Sequence, residues 1–191
     1  MQGNYYEDQV YSYHSTEPVQ LSPGTYEGCQ FLNGNFSGSD LADFRFLDCT
    51  FQQCNLDRVK LINASFSNVK FTDCKMMGID FEHCHPIMFS IGFENCQLTY
   101  SNFFQRKMPE TVFKNCNLTE VDFSNTILTN AVFTGSNLSN ARFETTDLSK
   151  ADFRDAIGFI IDPEKNKLKK AIFSLNNISG LLVKYDLVIE T

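Results

Sequence analysis

The stretch Phe113–Phe153 reads FKNCNLTEVDFSNTILTNAVFTGSNLSNARFETTDLSKADF. Every fifth residue is a large apolar centre: Phe stands at 113, 123, 133, 143 and 153, and Leu at 118, 128, 138 and 148. The position two residues before each centre is mostly small, and the remaining positions are polar. A period of five matches neither an α-helix nor a flat strand. It favours a four-sided coil in which 20 residues make one turn and neighbouring coils pair about 4.8 Å apart.

The same period covers most of the chain. A large apolar residue occupies every fifth position from Leu21 to Phe81 and, after a slip of two residues, from Phe93 to Phe153. These series hold 14 of the 19 Phe residues. Because four units make one turn, rings 20 residues apart are predicted to stack in columns. The predicted core stack comprises Phe31, Phe51, Phe71, Phe113, Phe133 and Phe153.

The repeating unit resembles that of the pentapeptide-repeat family, which reads approximately Ala-Asp/Asn-Leu-x-x. Ser136-Asn137-Leu138 and Ala151-Asp152-Phe153 are clear examples. The resemblance covers residues 21–156 and implies an all-β fold, a right-handed quadrilateral β-helix with four repeats per 20-residue coil. Arg106 departs from the pattern because it falls in the small inward position, so we expect a bulge or small loop near residues 104–110.

The pattern divides the chain into three segments. Residues 1–20 lack the repeat and are expected to form an N-terminal tail or cap. Residues 21–156 form the β-helix, with a frame break at 82–92, where Pro86 replaces an apolar centre and a protruding loop is expected. Residues 157–191 are expected to form a C-terminal cap with a short helix and a final strand.

The end of a solenoid must be covered, and the apolar cap offers two ways to do this. It either folds over its own last coil or pairs with a second copy across a two-fold axis. Family members often pair through their C-termini, so the resemblance favours a homodimer. The predicted dimer-interface residues are Leu181, Leu182, Tyr185, Leu187 and Ile189.

Composition narrows the functional classes. The chain has 191 residues, is 42% hydrophobic and carries a formal net charge of −7, so it can bury a core and is a poor candidate for direct nucleic-acid binding. No apolar stretch approaches the length of a membrane span, and the N-terminus does not resemble a signal peptide. We therefore expect a cytoplasmic protein, and the resemblance implies a bacterial one. The seven cysteines occupy the small inward position and are expected to be reduced core thiols.

The sequence offers little for catalysis or cofactor binding. It contains no phosphate-binding glycine loop and no nucleophile or zinc-protease motif, so we expect no enzyme and no cofactor. The one ligand-like run is Glu82-His83-Cys84-His85. Cys84 falls in the inward position while its neighbours face outward, and such side chains cannot surround one metal ion. We therefore predict no metal site.

The resemblance extends to the Qnr-type quinolone-resistance members of the family. It implies a non-enzymatic DNA mimic that binds DNA gyrase or topoisomerase IV and protects against quinolones. The alternative is a structural or protein-interaction scaffold of unknown partner, which the alternating charges of Asp40, Lys60 and Asp80 favour. Candidate partner-contact residues lie near the frame break and the expected second loop: Pro86, Met88, Phe89, Phe104 and Arg106.

Overall fold

In a computed structural model, which describes residues 3–188, strands 20 residues apart in sequence lie side by side and parallel. One sheet has four strands: β1 (Asn4–Glu7), β3 (Gly24–Glu27), β5 (Arg45–Leu47) and β7 (Ser65–Ser67). The other has six: β2 (Val10–Ser12), β4 (Gln30–Leu32), β6 (Thr50–Gln52), β8 (Val69–Thr72), β9 (Ile91–Glu94) and β10 (Phe113–Lys114). Single parallel bridges on the 20-residue register continue the stacking to Asp152–Ile172. The predicted right-handed quadrilateral β-helix is confirmed.

The corners explain the abundance of Asn and Asp between the apolar centres. At most corners one residue adopts left-handed backbone geometry, as do Asn115 (φ 53°), Asn125 (φ 57°) and Asn130 (φ 57°). Asn and Asp tolerate this region better than other residues with a Cβ, because their short polar side chains can bond locally to the backbone. The polar residues of the repeat therefore place a turn after every five residues.

Aromatic rings stack in several columns in the core, and the longest column runs through almost its whole length. Phe31 and Phe51 stack with centroids 4.4 Å apart, and Phe113 and Phe133 are separated by 5.2 Å. Phe71 stacks on Phe93 at 5.4 Å. The whole column consists of Tyr11, Phe31, Phe51, Phe71, Phe93, Phe113, Phe133, Phe153 and Phe173. The six Phe residues of the predicted core stack all belong to it.

The two-residue slip does not break the core, because one coil is two residues longer than the others. Val69 pairs with Ile91 and Phe71 with Phe93, so the register there is 22 residues instead of 20. Four cysteines therefore form one inward column, in which Cys74 Sγ donates to the Phe51 carbonyl and Cys96 Sγ to the Phe71 carbonyl, both at 3.4 Å. The seven thiols are free and buried. The column consists of Cys54, Cys74, Cys96 and Cys116.

At the N-terminus the coil starts before Leu21. β1 and β2 pair with β3 and β4, and Tyr6 and Tyr11 stack over the rings of the next coil. Tyrosine suits this first coil because the rings of Tyr6 and Tyr11 are only partly covered there, and an amphipathic aromatic side chain tolerates such a position. Residues 3–20 therefore include a first coil that is paired to the rest of the solenoid.

At the C-terminus the coil continues past residue 156 to Phe173, and two 3₁₀ helices follow, Leu175–Leu181 and Val183–Tyr185. The prediction of a final strand is wrong for the residues that the structure describes, since Leu187 and Val188 have no strand partner; Ile189 lies outside them. No helix within residues 3–188 is long and apolar enough to cross a membrane.

Candidate interaction site at the inserted loop

In the longer coil, a short loop protrudes from the wall of the solenoid. The chain leaves the coil at His85, whose N–H donates to the Ala64 carbonyl (2.8 Å), and rejoins it at Ser90, whose N–H donates to the Phe66 carbonyl (2.9 Å). We call residues 86–89 the inserted loop. It lies beside the face formed by β5 and β7, where an open groove of about 360 Å³ separates it from the wall. The frame break thus produces the protruding loop that the sequence indicates.

The tip of the inserted loop is apolar and exposed. Ile87 is 66% exposed and Met88 is 72% exposed, and Pro86 beside them also faces solvent. Phe89 turns inward and is buried against Phe66 and Phe81. The loop therefore anchors one aromatic side chain in the core while it presents Ile87 and Met88 outward.

Arg106 holds the base of this loop from inside the solenoid. Its guanidinium donates to the carbonyls of Cys84 (2.8 Å) and His85 (3.1 Å) and lies 4.0 Å from the centre of the Phe89 ring. A longer contact of 3.4 Å reaches the Glu82 carbonyl. These carbonyls belong to the segment from which the chain leaves the coil, and a planar guanidinium can donate to several acceptors at once. Arg106 thus bonds the main chain at the start of the loop.

This arrangement corrects two expectations. Arg106 points inward and is only 5% exposed, so it cannot touch a partner directly. No bulge forms near residues 104–110, where Lys107 bridges Ile127 on the regular register. The physical reason is that the inserted loop removes an apolar centre from the preceding coil and exposes carbonyls there, and the arginine side chain occupies that space.

Burial shifts the pKa values of two groups under the loop, Arg106 and Cys84. Desolvation lowers the pKa of the Arg106 guanidinium, and its Nε has no hydrogen-bond partner. Desolvation likewise raises the pKa of the Cys84 thiol to about 12, although the nearby arginine charge opposes the rise. Cys84 is therefore a neutral core thiol, and the positive charge of Arg106 is balanced by main-chain carbonyls and the face of Phe89.

The other predicted contact residues separate into exposed and covered groups. Pro86 and Met88 are exposed on the loop, whereas Phe89 is buried, which corrects its assignment as a contact residue. Phe104 is half-buried on a regular turn of the neighbouring face. Sequence reasoning did not select Ile87 as a contact. Its signal was its position between Pro86 and Met88, within the segment that breaks the repeat.

Acidic and histidine side chains near the loop satisfy one another. His83 Nδ1 lies 2.7 Å from Asp80 Oδ2, and the Asn102 amide donates to both Asp80 (3.1 Å) and Glu82 (3.0 Å). Asp80, Glu82 and His83 form a cluster of potential metal-ligating groups. The Asn102 amide already donates hydrogen bonds to both carboxylates, and all three side chains are at least partly open to solvent. We therefore assign no metal to them.

Surface charges along the solenoid are paired between coils. Lys114 lies 2.9 Å from Glu94, and Lys165 lies 3.1 Å from Glu144. Arg142 faces Asp122 at 3.7 Å, and Lys167 faces Asp147 at 3.5 Å. Each pair joins an acidic side chain of one coil to a basic side chain of the next. Among the residues described, these pairs interrupt the acidic charge along the faces on which they lie.

The C-terminal cap covers the last coil of its own chain. Leu181 packs against the core, and the Asn177 amide donates to the Phe153 and Ala156 carbonyls (2.8 and 2.9 Å). Gly180 passes so close to the Phe159 carbonyl that a Cβ there would overlap it.

Outside that contact the cap is open to solvent. Leu182 is half-buried, while Tyr185 and Leu187 are exposed. Ile189 lies outside the described residues. Pairing through the C-terminus therefore stays a prediction.

Comparisons with known proteins agree with this geometry. The sequence profile of the pentapeptide repeat region matches residues 25–103, 86–156 and 106–181. A trypsin-treated variant of QnrB1, a plasmid-mediated fluoroquinolone resistance protein, superposes with a TM-score of 0.56 at 16% identity over 98% of both chains.

A second solved structure is HetL from the cyanobacterium Nostoc sp., a pentapeptide repeat protein involved in heterocyst differentiation regulation. It gives a TM-score of 0.49 at 15% identity over 90% of this chain and 84% of its own. No curated protein matches the sequence significantly. The five-residue period, the 20-residue coils and the profile match agree over most of the chain. This chain therefore belongs to the pentapeptide-repeat family.

Proposed function

We propose that this protein is a non-enzymatic binding protein that engages a protein partner through the inserted loop, and that the partner is a type II topoisomerase such as DNA gyrase or topoisomerase IV. The observation that carries the proposal is the exposure of Ile87 and Met88 at the tip of a loop that Arg106 holds from below. Exposed apolar side chains that are grouped on a polar surface are typical of contact sites.

The loop is well suited to binding because its base is already ordered. Binding a mobile loop costs conformational entropy, and a loop held in one conformation avoids part of that cost. Phe89 is buried and Arg106 bonds the preceding carbonyls, so only the tip residues remain to be ordered. Two large apolar side chains on an ordered support can act as a small hot spot.

The choice of topoisomerase rests on the overall form and charge of the molecule and on its likeness to QnrB1. The chain carries a net charge of −7, and its stacked coils form a narrow rod. A rod of this kind can occupy a basic cleft that otherwise holds duplex DNA. QnrB1, which has the same fold, is a plasmid-mediated fluoroquinolone resistance protein. The resemblance to Qnr-type members of the family implies a type II topoisomerase as the partner. We therefore propose that the rod binds at the DNA-binding surface of such an enzyme.

A second candidate function is favoured by the pairing of charges. Glu94 with Lys114 and Glu144 with Lys165 neutralise one another along the faces, whereas a DNA mimic would present repeated negative charge. This pattern favours a scaffold that uses the inserted loop to bind a partner other than a topoisomerase.

A gyrase supercoiling assay with and without a fluoroquinolone distinguishes the two functions. We expect the wild-type protein to restore supercoiling in the presence of the drug, or to inhibit gyrase in its absence. A double variant, Ile87→Ser with Met88→Ser, should lose at least tenfold in the concentration that gives half the effect. Ile62→Ser is the matched control, because Ile62 is equally exposed (63%) on a regular coil. If wild-type protein in large molar excess changes nothing, the topoisomerase proposal is wrong and the scaffold remains.

A further inference from the structure

Charged side chains that are register partners in successive coils have opposite signs, except at the N-terminal end of the rod. Where register pairs of the described residues join two charged side chains, the charges are opposite, as in Asp122 with Arg142. Glu7 and Glu27 are the one such pair of like charge. Asp8 follows Glu7, and both are exposed. Like charges that stack on neighbouring strands destabilise the sheet. This acidic group therefore does not stabilise its own coil, and a contact with another molecule would account for it.

At the C-terminal end of the rod, basic side chains lie close together without acidic partners among the described residues. Lys150 and Lys170 occupy the same corner in successive coils, with the same left-handed backbone geometry (φ 61° in both), and the Lys150 N–H donates to the Lys169 carbonyl. All three lysines are exposed. None of them belongs to the ion pairs of the described residues, whereas Lys165, Lys167 and Lys184 each do. The result is an unpaired basic group.

Both groups lie on one edge of the rod, at equal distances from the inserted loop. Glu7 stands in the column that continues through Glu27, Leu47 and Ser67, and the loop follows in the next coil. After the loop, the same side continues through the coils of Lys107, Ile127, Asp147 and Lys167, and Lys169 lies in the last of these. Each charged group is therefore four coils from the loop, on the order of 20 Å along the axis.

We propose that two copies of this chain associate side by side along this edge, antiparallel, with a two-fold axis through the inserted loops. Glu7 and Asp8 of one copy then face Lys169 and Lys170 of the other, and the same contact repeats at the opposite end. The axis brings together the exposed Ile87 and Met88 of both copies. Such an interface is self-complementary and closes as a dimer.

This proposal is independent of the identity of the proposed partner and of the predicted C-terminal dimer. It concerns the long edge of the rod, and the two 3₁₀ helices at the C-terminus, Leu175–Leu181 and Val183–Tyr185, take no part in it. Because it covers the inserted loop, the lateral dimer and a complex formed through that loop exclude each other. Because its charged contacts are exposed, the dimer weakens as salt rises.

Exchange of the charges tests the pairing. Variant A carries Glu7→Lys and Asp8→Lys, and variant B carries Lys169→Glu and Lys170→Glu. Every replaced side chain is exposed, so both variants should keep the wild-type circular dichroism spectrum. The unfolding midpoint should stay at or near the wild-type value for B and should not fall for A, because Glu7→Lys removes the repulsion from Glu27. At low ionic strength, sedimentation equilibrium should show a wild-type dimer and a dissociation constant at least tenfold higher for A alone and for B alone.

The mixture of A and B gives the decisive reading. In an antiparallel pair both ends of A are basic and both ends of B are acidic, so a 1:1 mixture should regain the wild-type dissociation constant as a heterodimer. Lys70→Glu with Lys75→Glu is the control: it changes the net charge as B does, but both lysines lie on other faces and have uncharged register partners. Three results would overturn the proposal. The wild-type chain could be monomeric at low salt, or the mixture of A and B could stay dissociated. A dimer that neither charge exchange weakens would also overturn it, and a C-terminal dimer would behave in that way.

Discussion

Replacement of Arg106 by methionine tests the most unusual packing in the molecule. Methionine keeps much of the volume of the side chain but removes the hydrogen bonds to the Cys84 and His85 carbonyls and the stacking on Phe89. A buried carbonyl left without a donor costs about 1–3 kcal/mol. The lost cation–π contact adds about 0.5–2 kcal/mol. Removal of a desolvated charge returns part of this, so we expect a net loss of about 2–4 kcal/mol.

The effect should be visible both globally and at the loop. A loss of this size lowers the thermal midpoint by on the order of 5–15 °C for a chain of this length. Amide hydrogen exchange at residues 84–90 should accelerate more than exchange elsewhere, because the missing bonds are those of this segment. Arg106→Lys should fall between wild type and Arg106→Met, since an ammonium keeps the charge but cannot stack or donate as a planar fork.

Arg142→Met is the matched control. Arg142 sits on a regular coil with its side chain 69% exposed and 3.7 Å from Asp122, so its loss should change stability by less than about 0.5 kcal/mol. The reasoning fails if Arg106→Met unfolds at the same urea concentration as wild type and residues 84–90 exchange at the wild-type rate. That outcome would mean that the loop is held by Phe89 alone.

Three further predictions concern the core, the thiols and the cap. Phe133→Ala should lower the free energy of unfolding in urea by about 3–5 kcal/mol, because its ring stacks in the buried column. Thr134→Ala, at the half-buried position beside it, should have a much smaller effect, and equal effects of the two changes would contradict the contribution of the column to stability. The seven buried thiols should react with a thiol reagent only at the rate of unfolding, and fast labelling of the native protein would contradict this. The hydrogen bond from Lys184 holds the pKa of Asp162 below its usual range, so this contact stabilises the cap above about pH 4 and is lost as the pH falls through the lowered value. After correction for the intrinsic pH dependence of amide exchange, the protection of residues 175–185 should therefore fall in acid in the wild type. Lys184→Met should remove that fall, and an unchanged pH dependence of protection in the variant would reject the contact.

The repeat could be predicted from the sequence because each position of the unit has a simple physical requirement. Phe113 and Phe133 fill the interior, and Asn115 permits the corner geometry. The pattern does not reveal the first coil, because Tyr6 and Tyr11 stand where the later coils carry Phe, between strongly polar neighbours. Its pairing with β3 and β4 became evident only from the backbone register.

The candidate site could be predicted only in part, because its form depends on two segments that are distant in sequence. Pro86 marks the loop, but the pattern alone gives no sign that Phe89 turns inward while Ile87 turns outward. The repeat predicts that Arg106 is unsuited to its inward position, whereas the partners that accommodate it are main-chain carbonyls one coil earlier. Main-chain acceptors leave no trace in the side-chain pattern, so the repeat could not reveal them.

The most direct test of the proposed function is hydrogen exchange of the full chain with and without gyrase, at a concentration where the chain alone is monomeric. The proposal predicts slower exchange at residues 85–90 in the complex and little change on regular coils far from the loop. Protection confined to other faces, or no protection at a saturating gyrase concentration, would contradict the claim that the inserted loop binds this enzyme.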